Sequence, residues 1–242
     1  MIKLISHSVI LLLLVTISDV FSSAARAKGL VINTTGQPPL NTKDKTGFLD
    51  KLTSEAFSRI GLELTTIQLP AERGLVNVNA GIDDGEMSRI GGLQNKYPNL
   101  VPVPEKIMDW EFVVFSKHKI TLDKGWDSLK PFSVAIINGW KILEKNVPKS
   151  VKLTKVNTPY QLFDILQKGR AELIIYERWS GLETIKNNKF TEIMLIEPPL
   201  ASKEMFIYLN KKHQSLIPKL SQALHDMKID GTYQNIMRKT LH

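Results

Sequence analysis

KGRAELIIYERWSG, residues 168 to 181, runs from a glycine through a short apolar core and stops on Tyr176, Glu177, Arg178 and Trp179. Gly169 terminates a helix that is well marked upstream, with Thr158 as N-cap, Pro159 in the first turn and Leu162, Phe163 and Leu166 on one face. Ala171 to Tyr176 then reads as a buried strand, and a new helix begins near Arg178. In open parallel sheets ligands sit outside the carboxyl ends of the strands, where strand gives way to helix. Glu177 lies at such a point.

Outward from this unit the pattern repeats. On its N-terminal side come a strand at Ser133 to Ile137, a helix after Gly139 and a strand around Val151 to Val156. Nearer the N-terminus, Leu30 to Ile32 reads as a strand and Asn33 to Gly47 as a turn-rich loop. Phe48, Leu49, Leu52, Ala56, Phe57 and Ile60 recur at helical steps up to Gly61. Leu62 to Gln68 predicts a strand, Ala71 to Ala80 a helix and Ile82 to Met87 a third strand. Strands alternating with helices imply an α/β protein with mostly parallel sheets. Glu111 to Ser116 is a continuous hydrophobic strand, and the polar, turn-like Lys117 to Leu129 marks a crossover between domains. Glu192 to Ile196 and Met205 to Leu209 predict two more strands. Leu216, Ile217, Leu220, Leu224 and Met227 then form a helical face, followed by a break at Asp230 and Gly231 and a short last helix.

At 242 residues, 43% hydrophobic and 23% charged, the chain is long enough for two modest domains and is neither disordered nor fibrous. Residues 1 to 27 stand apart. Lys3 precedes the apolar run Val9 to Ile17, polar residues follow, and Ala25, Arg26 and Ala27 supply an A-x-A site. A membrane-spanning helix needs about 20 predominantly apolar residues; this run is broken by Ser18 and Asp19, so we expect a secretory signal cleaved after Ala27 and an exported, soluble mature protein. The chain has no cysteine, which excludes a disulfide framework and cysteine-based zinc or redox chemistry. Removal of the signal takes Lys3, Arg26 and Asp19, leaving 30 basic and 23 acidic residues, a net charge of +7. The lysines are scattered, with no basic stripe interleaved with aromatics, so nucleic acid is not an expected partner.

The five histidines have no paired ligand spacing, and neither G-x-S-x-G nor G-x-G-x-x-G occurs. Asp83-Asp84-Gly85-Glu86 lacks the alternating ligand positions of a calcium loop. Neither a metal nor a cofactor is expected. Trp110 and Trp140 could wall a cleft, though aromatics are more often core. Trp140 follows Asn138 and Gly139, where backbone amides at a helix start could hold an anion. Arg73 stands at the start of the helix from Ala71, facing the same sheet edge, or is a solvated first-turn arginine.

Several strings together resemble the periplasmic solute-binding proteins of polar amino-acid uptake systems, solute-binding family 3. The C-terminal pattern Leu220, Ala223, Leu224, Met227, Asp230, Gly231, Thr232, Tyr233 and Ile236 is the most specific. Gly47-Phe48 with Leu52, Trp126-Asp127-Ser128-Leu129-Lys130, and Gly169-Arg170-Ala171-Glu172 match in order and spacing. The resemblance covers essentially the whole mature chain and implies a two-lobe, type II binding-protein fold with a two-segment hinge. Lobe 1 would be discontinuous, residues 28–116 with 197–242, and lobe 2 would be residues 117–196.

The resemblance also implies site roles. Counting from Gly169, Glu177 falls where amino-acid binders of the family keep an aspartate for the ligand's ammonium group; alternatively it favours a helix N-terminus or pairs with Arg178. The family places Ser or Thr after the third strand and an Arg three residues on. Here Ser88 is followed at once by Arg89, whose fork suits a carboxylate but could instead bridge to Glu86 or Asp84. The expected function is non-enzymatic capture of a small zwitterion or carboxylate, an amino acid foremost, by a monomer that delivers it to an ABC-type permease. The alternatives are a cyclohexadienyl-dehydratase-like enzyme on the same scaffold, with Glu177 as general acid, and a stand-alone sensory receptor.

Overall fold

The computed structural model describes residues 29–241, so the expected signal and its cleavage site lie outside the described residues. Nine strands and seven α-helices follow one another as β1 (Leu30–Thr34), α1 (Phe48–Ser58), β2 (Leu64–Gln68), α2 (Ala71–Asn79), β3 (Gly85–Ile90), β4 (Leu100–Pro102), β5 (Met108–Ser116), β6 (Ser133–Ile137), α3 (Lys141–Asn146), β7 (Lys152–Val156), α4 (Pro159–Gln167), β8 (Leu173–Glu177), α5 (Arg178–Asn188), β9 (Met194–Asn210), α6 (Ile217–Ile229) and α7 (Thr232–Thr240). The expected start of α4 is in place: Thr158 accepts from the Gln161 N–H, and Pro159 opens the helix.

The strands join in the order β2-β1-β3-β9-β5-β8-β6-β7, with β4 on β9. The outer strands pair in parallel on both sides, β1 with β2 and β3, β6 with β7 and β8. Between them lie two crossing strands, β5 and β9, antiparallel to each other from Met108↔Met205 to Ser116↔Met194 with an irregularity after Phe112. The two strands expected at Glu192–Ile196 and Met205–Leu209 are therefore parts of one 17-residue strand. Its middle, with exposed Ser202, Lys203 and Glu204, lacks apolar alternation and so does not read as strand; pairing to β5 is what keeps it extended.

Strand alternation divides the core cleanly. On β9, Met205, Ile207 and Leu209 join one cluster with Phe48, Leu52, Phe57 and the inner faces of α6 and α7, while Tyr208 faces a second with Leu75, Val78 and Leu100. On β5 and β6, Phe112, Val114, Val134 and Ile136 point into a third cluster, and Val113, Phe115, Ala135 and Ile137 into a fourth beneath α4. The first two clusters draw on the N-terminal segments and the C-terminal helices, the last two on the central part of the chain. Helices thus cover both faces of two half-sheets joined by a pair of crossing strands. Among the described residues no helix is long and apolar enough to cross a membrane.

Candidate functional site

A cavity of about 1050 Å³ opens at the carboxyl ends of the parallel strands. From the first half-sheet it is reached by Thr35 and Gln37 beyond β1 and by Ser88, Arg89 and Ile90 of β3; from the second, by Ile137 of β6 and Tyr176 and Glu177 of β8. The crossing strands supply Trp110, Phe112, Ala201 and Lys203. Both half-sheets thus present strand ends to one space, the placement that strand-to-helix transitions favour.

Glu177 is fully buried. Its carboxylate caps α5, accepting from the Trp179 N–H at 3.0 Å and the Ser180 N–H at 2.7 Å. Burial pushes its pKa up, with the two N–H donors and the neighbouring Arg178 pulling the other way. The capping reading therefore holds, and it coexists with a place in the cavity wall, because two N–H bonds leave acceptor capacity on a carboxylate. Arg178 does not turn to Glu177. It contacts Glu111 of β5 and meets Glu197 of β9 with both terminal nitrogens, at 2.7 and 3.0 Å. Trp179 packs against the core cluster of the other half-sheet. The polar and aromatic ending of the strand is thereby explained residue by residue: Tyr176 and Glu177 face the cavity, Arg178 ties α5 to both crossing strands, and Trp179 reaches across.

Opposite, Ser88 is 8% exposed and its buried hydroxyl lacks a hydrogen-bond partner among the described residues. Arg89 is held by the Ala71 carbonyl at 2.9 Å and stands 2.9 Å from Glu86, but its Nε is buried and unpartnered. Glu86 is itself fully buried, and desolvation lifts its carboxyl to about 7 against the pull of Arg89. Asp84, the other expected partner of Arg89, instead takes the Val31 N–H, Lys212 and His213; these outweigh its burial and hold it at about 2.

Trp110 and Trp140 line the cavity and are half-buried. Arg73 and Gly139 do not line it. Arg73 is exposed on the first turn of α2, the solvated reading. The Gly139 N–H donates to Glu144 at 3.2 Å, so the chain's own carboxylate occupies the amide expected to hold an anion. Reasoning from sequence missed Gln37, Trp126, Lys145, Asn146 and Lys203. Trp126 had a signal, a tryptophan in an otherwise polar connection; the lysines had none, since nothing local separates a cavity lysine from a solvated one.

No protein-family model matches the chain. An uncharacterized protein of Shewanella oneidensis is 23% identical over 192 residues, spanning 75% of this chain and 71% of that one. Among solved structures, an ancestral arginine-binding protein bound to arginine matches with a TM-score of 0.71 and 21% identity, covering 90% of this chain and 100% of that one. The GluR0 ligand-binding core in complex with L-glutamate gives 0.76 and 13%, over 89% and 99%. An ancestral amino acid-binding protein, a precursor of cyclohexadienyl dehydratase, gives 0.68 and 17%, over 88% and 95%. The chain has the two-lobe fold of periplasmic binding proteins.

The cavity lies between the two half-sheets, and β5 and β9 are the strands that cross from one to the other. The cleft has one buried carboxylate at the end of β8, an unsatisfied hydroxyl and a guanidinium on β3, and aromatic walls between them. Such a site can hold a small molecule by opposite charges at its two ends.

Proposed function

We propose that this chain is a periplasmic solute receptor of the amino-acid-binding kind, which captures a small zwitterion between its lobes and delivers it to an ABC-type permease. Glu177 takes the ammonium end, and Ser88 with Arg89 the carboxylate end. The observation that carries this reading is the pairing, in one cavity, of a buried carboxylate from β8 with an unpartnered buried hydroxyl and an underused guanidinium from β3. A buried hydroxyl without a partner costs about 1–3 kcal/mol, which a ligand oxygen would recover. The neighbours whose names state amino-acid ligands support the class of ligand, and the leader-like residues 1 to 27 support export with cleavage after Ala27. We assign residues 28–116 with 197–242 to lobe 1 and 117–196 to lobe 2; the core clusters support this division except at Phe112 to Phe115, which pack in the clusters of the second half-sheet.

A thermal-shift panel of the proteinogenic amino acids tests the reading. A true ligand at a hundred times its Kd adds about 2.7 kcal/mol of stability, roughly 5–10 °C in Tm for a chain of this size. A flat response to every member would remove the proposal.

The enzymatic alternative has one observation in its favour, since burial raises the Glu177 carboxyl, as a general acid requires. Turnover of a cyclic hydroxy-dicarboxylic acid, abolished in Glu177→Gln, would replace capture by dehydration.

A further inference from the structure

Three of the chain's four tryptophans, Trp110, Trp126 and Trp140, line this single cavity and are only half-buried. Large aromatic side chains left partly open around a cavity have apolar area to cover. Trp140 is fixed from behind: it stacks on Tyr176 at 5.0 Å with 15° between the rings, and Phe112 meets it edge-on at 5.7 Å. Phe112 and Tyr176 also line the cavity, so the wall is a braced aromatic surface rather than one adaptable side chain.

The charges are lopsided. Arg89, Lys145 and Lys203 line the cavity against one carboxylate, Glu177. Arg89 has Glu86 beside it. Lys145 and Lys203 are exposed and have no ion-pair partner among the described residues. A ligand with a second cation would meet two unpaired ammonium groups and no spare carboxylate. A small acidic amino acid would answer the lysines but leave the tryptophans facing water.

Resting on the receptor reading above, we propose that the cleft selects an amino-acid-like zwitterion whose side chain is a flat ring bearing a further anionic group, the ring lying among Trp126 and Trp140 and the anion answering Lys145 and Lys203. The lysines act as specificity determinants and the tryptophans as the platform; neither takes over the ends of the zwitterion.

Calorimetric titration of the mature protein with phenylalanine, 4-carboxyphenylalanine, glutamate and arginine decides between the possibilities. Phenylalanine binds, 4-carboxyphenylalanine binds about tenfold or more tighter, and arginine does not bind. Trp126→Ala weakens both ring ligands by up to about tenfold, the worth of one aromatic contact, while Lys203→Met removes the advantage of the carboxyl and leaves phenylalanine unchanged. Arginine or glutamate binding at least as tightly as phenylalanine would overturn this inference and leave the receptor reading standing, as would equal affinities for the two ring ligands. Failure of these four and of every other amino acid to bind would overturn the receptor reading, and this inference with it.

Discussion

Glu86 is the residue whose environment is most at odds with its charge. It is fully buried beside Asn33 and Gly74, and neither carboxyl oxygen accepts a hydrogen bond among the described residues, although Arg89 stands at 2.9 Å. Its pKa rises from 4.5 to about 7, chiefly through desolvation. The folded state therefore holds a proton that the unfolded state releases, so the stabilising effect is complete below about 4.5, is lost as pH rises through 7, and is gone above. A shift of this size corresponds to about 3 kcal/mol. Urea midpoints at pH 5 and pH 8 will differ in that direction, and Glu86→Gln will lessen the difference, the buried Glu177 contributing in the same sense; an undiminished difference in the variant would show that Glu86 is not its source. At this scale the sequence was partly legible. Glu177, Trp110 and Trp140 stand at or near the ends of strands recognisable by their apolar runs, and Ser88 and Arg89 follow a strand read at Ile82 to Met87 from the alternation of strands and helices, so their arrival at one cavity follows from topology. Arg73 and Gly139 were equally plausible from local context, but the direction of a side chain and competition from Glu144 depend on tertiary packing.

Among the elements, α5 shows how tightly local packing is set. A Cβ on Gly181 would stand 2.2 Å from the Phe115 ring tip, and that ring is fully buried against Phe163 at 5.3 Å. Helix propensity alone would make Gly181→Ala stabilising by about 1 kcal/mol. Overpacking in a filled core costs about 1–3 kcal/mol. The packing cost wins, and denaturant unfolding of Gly181→Ala will show a net loss; a gain would mean that α5 can lift from β5 without penalty. The helices were readable because their signals are local, such as Thr158, Pro159 and Gly169 around α4. The strand β9 was not, because its exposed middle is held by β5, more than 80 positions earlier in sequence. Strand β4 escaped notice for a related reason: its three residues, Leu100–Pro102, are too few to show periodicity.

At the scale of the whole molecule, two half-sheets meet at β5 and β9, and the groups that fasten the junction come from the stretch that also supplies the site. Arg178 ties α5 to Glu111 and Glu197 on the crossing strands, Trp179 packs on the opposite core, and Glu177 faces the cavity between. Ligand contacts made from both sides stabilise a closed arrangement only to the extent that they differ between open and closed states. In the receptor proposed above, one buried carboxylate, Glu177, recognises a cation from inside the cleft. The most direct measurement is calorimetric titration of the wild type and of Glu177→Gln, which keeps an oxygen to cap α5, with the amino acid that gives the largest thermal shift. Losing one partner of a buried charge pair costs about 2–5 kcal/mol, so one site per chain and a loss of affinity of about thirtyfold or more in the variant are expected, with its fold retained. Equal affinity in the two proteins would contradict it.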